Sequence, residues 1–218
     1  MPQSLKGTRD MDFGREIIPL FSSPVYIKNL GGFQTEDELL ALDNLVSSND
    51  VVWASNHNNN VSKDNRWLDS VKETRLYSLI QEELKQYFYG VMQANPDIEI
   101  YITESWLNKS DPGQEHHRHR HANSIISGVY YFNVNVDSGN LIFSNSQYQQ
   151  IEYTTVNSNI YNSKHWVLTP KQHSLLLFPS SLEHKVSKNN SNTNRISLSF
   201  NTFIKGPISN YFLQSLEI

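Results

Sequence analysis

Two periodicities divide the chain. Between Thr35 and Val91 apolar residues recur three and four apart, the spacing of one helical face; from Ile98 onward they alternate singly, the spacing of strands. Thr35-Glu-Asp-Glu38 has the form of a capping box, and Leu39, Leu40, Leu42, Leu45 and Val46 follow at helical intervals, which predicts a helix over 35–47. Leu68, Val71, Leu76, Leu79, Ile80, Leu84, Tyr87, Phe88 and Val91 predict a second, longer helix that stops near Ala94-Asn95, before Pro96. The segment between them, 47–65, is rich in Asn and Ser and reads as a long loop, of a length often tied to function. Upstream, Ile17–Phe21 and Val25–Leu30 suit a strand interrupted at Pro24, and 1–16 lacks any pattern and reads as a loose arm.

Beyond Pro96, Ile98, Ile100 and Ile102 alternate with polar residues, and Trp106-Leu107 extends the strand. Ser110-Asp-Pro-Gly113 and Asp137-Ser-Gly-Asn140 are turns. Further strands are expected over 125–134, 141–143, 151–156, 165–168, 175–178 and 196–204. Many short strands separated by turns imply a sandwich or barrel. The expected class is mostly β with N-terminal helices (α+β): a jelly roll with the helices packed on one sheet. No linker composition separates the two parts. The expectation is one domain over 1–218, with 17–96 as a helical support layer and 97–206 as the jelly-roll core.

Composition narrows the partners. With 218 residues, a formal charge of -4 and a pI near 6, the chain has the size for a real core but no general basic face, so nucleic acid is not an expected partner. There is no cysteine, hence neither a disulfide framework nor a thiolate ligand. No apolar run has transmembrane length and the first residues lack a signal core. The expected setting is cytoplasmic, without a membrane partner, and a homo-oligomer is left open.

Four of the eight histidines, at 116, 117, 119 and 121, precede the strand over 125–134. His119 and His121, two apart, can face one side of an extended chain. His184 follows the run Leu177-Phe-Pro-Ser-Ser-Leu-Glu, and Arg195-Ile-Ser-Leu-Ser-Phe-Asn201 comes next. In that last strand Ile196, Leu198 and Phe200 share one face while Arg195, Ser197 and Ser199 share the other. A polar face headed by an arginine suits a pocket for a carboxylate, which a planar guanidinium binds in bidentate fashion. Two histidines early, one late and an arginine after them form a metal-site pattern with a carboxylate anchor. His116 and His117 are expected to stay off the metal, and His57, His165 and His173 to be structural or solvated.

These motifs resemble a known family. His119-x-His121, Asn123-Ser124, Ser127-Gly-Val-Tyr-Tyr131, Leu177–His184, Arg195–Asn201 and the early Leu20-Phe-Ser-Ser-Pro-Val-Tyr26 are similar to the 2-oxoglutarate- and Fe(II)-dependent oxygenases, in the branch found in cyanophages and marine bacteria. The resemblance implies a double-stranded β-helix fold, Fe(II), 2-oxoglutarate and O2 as cofactors, and hydroxylation of a C–H bond in an unknown substrate, protein or small molecule, with a peptide side chain first by analogy. For a phage-encoded protein the setting would be the host cytoplasm. It places His119 and His184 at the two histidine positions of the iron triad. Arg195 falls on the residue that binds the distal carboxylate of 2-oxoglutarate, with Ser197 beside it, and Tyr131 on a tyrosine directed at the same group. One position departs from the usual two-histidine, one-carboxylate set: His121 stands where the carboxylate is expected, as in others of this branch. Three neutral imidazoles leave the site one charge more positive unless Glu115 or another carboxylate compensates.

Two other readings compete. A cupin is also a jelly roll, and Gly113 with His119-x-His121 fits its first motif, but the downstream Glu is replaced at 125 or 126 by Ile. A non-catalytic viral jelly-roll module would carry a closed structural metal site or none.

Overall fold

The computed structural model describes residue 17, residues 21–145 and residues 153–208. The expected arm over 1–16 and residues 18–20 and 151–152 of two expected strands lie outside the described residues.

Helix α1 (Glu36–Ser47) begins as its sequence prescribes. Thr35 Oγ1 accepts from the Glu38 backbone N–H at 3.2 Å, and the Glu38 carboxylate accepts from the Thr35 N–H at 2.7 Å. The second apolar stripe is not one helix. Trp67–Val71 forms a 3-10 turn, α2 runs Arg75–Lys85, and Gln86–Val91 continues as π-helix. Thr74 makes the break: its hydroxyl donates to the Val71 carbonyl at 2.7 Å and accepts from the Tyr77 N–H, ending one segment and capping the next. Both segments still bury their stripe, so the periodicity survives the break. The π turn buries the neighbours Tyr87 and Phe88 together.

The Asn- and Ser-rich stretch holds a hairpin rather than a loop. β2 (Trp53–Asn56) pairs with β3 (Asn59–Ser62), and β3 joins the sheet by pairing Asn60 and Val61 with Lys109 and Asn108. Ser62, whose hydroxyl donates to the Asp64 carbonyl and accepts from the Leu107 N–H, helps a polar sequence hold strand geometry that its composition does not announce. Likewise, β1 (Tyr26–Asn29) is confined to the second of the two N-terminal runs; Ile17 and Phe21 are outside strands. Residues 153–156, expected as strand, are irregular and exposed.

The remaining strands are β4 (Glu99–Ser110), β5 (His116–His119), β6 (Ile126–Asn133), β7 (Leu141–Ser144), β8 (His165–Leu168), β9 (Ser174–Pro179), β10 (His184–Val186) and β11 (Arg195–Lys205). They form a large sheet ordered β1-β9-β6-β11-β4-β3-β2 and a small one ordered β5-β10-β7-β8, every strand pair antiparallel. The protein is a mainly β jelly roll with its helices on the large sheet, as expected.

Alternation sorts the core into two layers. Tyr130 and Phe132 of β6, Leu175 and Leu177 of β9, and Ile196, Leu198 and Phe200 of β11 pack with the helices. Their neighbours Tyr131, Leu176 and Phe178 face the small sheet and meet Leu141, Phe143 and Val186. The large sheet is thus covered on both faces, which explains the continuous apolar runs of β6 and β9. Gly128 is required at its position: it pairs with Phe200, and a Cβ there would lie 2.1 Å from the Phe200 ring. Among the described residues no helix is long and apolar enough to cross a membrane.

Candidate metal and carboxylate site

The space between the sheets narrows to a cavity lined from both sides. The small sheet contributes His119 and His184 and, just past β5, His121; the large sheet contributes Arg195, Ser197 and Ser199 from β11, Val129 and Tyr131 from β6, and Trp106 and Asn108 from β4. All six residues singled out in the sequence, His119, His121, His184, Arg195, Tyr131 and Ser197, line this one cavity. A larger cavity, about 760 Å³, lies elsewhere, between α2 and the first half of β4, and has no histidine in its lining.

Register places the histidines. His119 of β5 is the cross-strand partner of His184 of β10, and their ring centroids are 4.4 Å apart. His121 completes the group, 5.0 Å from His119 and 5.2 Å from His184 between centroids. One ring nitrogen from each lies within 4.8 Å of the others, a spacing that a single ion could bridge. The turn carrying His121 is tied down by a buried polar chain. Its backbone N–H donates to the Ser180 carbonyl at 3.1 Å, and Ser180 Oγ lies 2.7 and 2.8 Å from Ser124 and Ser127 Oγ. Ser127 in turn donates to Asn201.

Two of the rings are oriented by the backbone. His119 Nδ1 lies 2.8 Å from the His117 carbonyl, and His184 Nδ1 lies 2.9 Å from the Leu182 carbonyl. Since a carbonyl only accepts, each Nδ1 carries the proton and each Nε2 keeps its lone pair for a ligand. Burial acts in the same direction: it pushes His184 down to about 3 and His121 to about 4, and lowers His119, so all three are neutral at pH 7. No carboxylate joins them among the described residues, and Glu115 is exposed.

Across the cavity, Arg195 is 3% exposed. Its Nε has no hydrogen-bond partner, and among the described residues no carboxylate pairs with it. Burial lowers its pKa from the ordinary arginine value, with Tyr131 partly offsetting this, and burial pushes Tyr131 up to about 12. Ser197 is the direct cross-strand partner of Tyr131 on one side and of Asn108 on the other. A buried guanidinium with no anion is costly unless a ligand supplies one.

Trp106, Asn108 and His116 line the cavity without having been expected there, whereas Ser199 belongs to the polar face read from β11. Trp106 and Asn108 alternate with Leu107 on β4, and this polar period-two signal was available in the sequence. Ser199 donors and acceptors meet Asn108, whose Nδ2 donates to Ser199 Oγ at 2.9 Å. His116 also lines the cavity, against simple alternation with His119. The cause is a bulge: three steps along β5, from His116 to His119, span two along β10, from Val186 to His184. The extra residue turns His116 to the side of His119. His173 is structural, with Nδ1 3.1 Å from the Tyr130 hydroxyl, and His165 is exposed. His57, at the tip of the β2–β3 hairpin, packs on His117 at 4.6 Å.

Comparison with known proteins bears on which jelly-roll family the chain resembles. Residues 104–201 match the family model described as "Putative 2OG-Fe(II) oxygenase". That segment contains every one of the six site residues. No curated protein matches the chain in sequence. In structure, the chain is similar to an oxidoreductase of the 2OG-Fe(II) oxygenase family from Burkholderia pseudomallei, with 14% identity over 82% of this chain and 83% of that one and a TM-score of 0.57. It is also similar to HygX from Streptomyces hygroscopicus, solved with nickel and 2-oxoglutarate bound (7% identity, 83% and 82% covered, TM-score 0.55). A third neighbour is the non-heme alpha ketoglutarate dependent epimerase SnoN from nogalamycin biosynthesis (12% identity, 83% and 78% covered, TM-score 0.57). At these identities the likeness is one of fold.

Proposed function

We propose that this protein is a 2-oxoglutarate- and Fe(II)-dependent dioxygenase that hydroxylates a C–H bond of a peptide side chain or small molecule. One observation carries the reading: three neutral imidazoles converge on one side of a cavity whose other side holds a buried guanidinium with no carboxylate partner among the described residues. The donor set fits the group. Imidazole suits Fe(II), and a dicarboxylate can meet the metal at one end and Arg195 at the other.

In this reading His119, His121 and His184 hold the iron, with the Nδ1 contacts to the backbone fixing the two rings that carry them. Arg195 pairs with the distal carboxylate, and Tyr131 and Ser197, adjacent across β6 and β11, present their hydroxyls to it. When bound, iron and 2-oxoglutarate supply the oxidative decarboxylation with O2 that drives oxidation of the substrate. The protein's own contribution is placement and exclusion of water: Tyr131, Phe178 and Arg195 are buried and close the inner end of the cavity. The neighbour named as an epimerase shares the fold, so the architecture by itself does not single out hydroxylation, which is proposed by analogy.

A cupin reading leaves Arg195 without a partner, and a closed structural metal site leaves the cavity's polar wall without a role. The test is anaerobic titration with Fe(II) and then 2-oxoglutarate, followed by the metal-to-ligand absorption band. The band is expected in the wild-type protein. Its absence, with Fe(II) bound, would sink the assignment of 2-oxoglutarate.

A further inference from the structure

Two histidines of the cluster, His116 in the cavity wall and His117 beside it, are not among the three inner ligands. His116, His117 and His119 each offer a ring nitrogen within 4.8 Å of the others, a second group of the same compactness as the inner one. Ring centroids confirm a continuous array: His116 stacks on His119 at 4.5 Å, and His117 lies 5.0 Å from His116 and 5.2 Å from His119. The bulge in β5 creates the group, because regular alternation would have turned His116 away. Exposure falls steadily along the array. His117 is exposed, His116 and His119 are half-buried, and His184 is buried.

His119 belongs to both groups. Its Nδ1 is engaged by the His117 carbonyl, so the same Nε2 must serve either. One imidazole lone pair binds one metal, so the two groups cannot be filled together through it.

We propose that His116, His117 and His119 form an outer seat for a divalent transition-metal ion, which then passes to His119, His121 and His184 by exchanging two ligands about His119. The proposal rests on the metal-binding role of the inner three. The chemistry is that of borderline ions with imidazole affinity, Fe(II), Co(II), Ni(II) or Zn(II). The transfer changes no oxidation state. His117 and His116 leave the ion as His121 and His184 join it.

Co(II) is the probe, in protein without a polyhistidine tag, with circular dichroism establishing that each variant folds. Wild type is expected to saturate at one Co(II); two equivalents would overturn the shared His119. A His121→Ala/His184→Ala variant is expected to bind one Co(II) with an altered d–d spectrum and to lose it when His116→Ala/His117→Ala is added. A folded inner variant that binds no Co(II) overturns the outer seat. The His116→Ala/His117→Ala variant alone is expected to reach the wild-type endpoint without the fast phase of uptake seen by stopped flow. An unchanged fast phase overturns the passage from outer to inner seat. Failure of the oxygenase reading registers separately, as a wild-type protein that loads Fe(II) but gives no 2-oxoglutarate band.

Discussion

His184 stands directly opposite His119 in the antiparallel pairing of β10 with β5, and the two rings approach to 4.4 Å between centroids. The pair is a property of register: a slip of one residue would turn either ring to the opposite face. Its two members should therefore be equally indispensable. In a His116→Ala/His117→Ala background that removes the outer seat, His119→Ala and His184→Ala are each expected to abolish Fe(II) binding, read by equilibrium dialysis. Tight retention by either variant removes that residue from the metal.

Arg195 should matter to the co-substrate and not to the metal. Truncating one partner of a buried charge pair typically costs about 2–5 kcal/mol, so Arg195→Ala is expected to weaken 2-oxoglutarate binding at least ~30-fold. Fe(II) affinity should stay near wild type. Titration of the absorption band measures the first and dialysis the second; equal 2-oxoglutarate affinity in the variant would remove the anchor role.

His121 occupies a position where a carboxylate would lower the charge of the site. Replacing it by His121→Asp is expected to retain iron and to lower the Fe(III)/Fe(II) potential, since an anionic ligand favours the higher charge. Spectroelectrochemical titration reads this directly. A potential that rises, or does not move while the metal stays bound, argues that His121 is not a ligand.

The metal-free protein should lose stability as pH falls. His184 and His121 are held down to about 3 and 4 when folded, against an ordinary value of 6.5. Between those values and 6.5 the unfolded chain binds more protons, so unfolding becomes easier with each step down in pH; above 6.5 the effect is absent. His184, the buried member, sets an upper bound of roughly 1.4 kcal/mol per pH unit for its own share. Urea unfolding at pH 7 and pH 5 checks the sign, and His184→Gln should reduce the slope. A metal-free protein equally stable at both pH values would contradict this.

Gly128→Ala tests the sheet beneath the site. A Cβ at that position meets the Phe200 ring at 2.1 Å, and overpacking of this kind costs about 1–3 kcal/mol. The expected outcome is a lower urea midpoint, partly restored by Phe200→Leu. An undiminished midpoint would mean that the ring moves aside freely.

The sequence made the site more legible than its surroundings. Arg195, Ser197 and Ser199 were readable as one polar face because β11 alternates without interruption through them. His119 and His184 were readable as residue types, but their pairing depends on the contact between β5 and β10, which no local pattern encodes. The place of His116 in the cavity lining has no local signal: the bulge that turns it there is set by the partner strand, and plain alternation from His119 would face it away. The hairpin over 53–62 was hidden by Asn and Ser, whose side-chain hydrogen bonds support strands and loops alike. The broken second helix had a visible marker, Thr74, overlooked because the apolar spacing continued across it.

Arg195 and the histidines belong to different sheets, and packed side chains such as Phe143 against Phe178, at 5.1 Å, help set the gap between them. The sandwich thus works as a caliper. A diacid held between its jaws is measured by length, and one carbon more or fewer misses one end. Phe143→Leu, which touches no carboxylate, should relax the preference for 2-oxoglutarate over 2-oxoadipate in competition binding, and an unchanged ratio would show that the gap is set elsewhere.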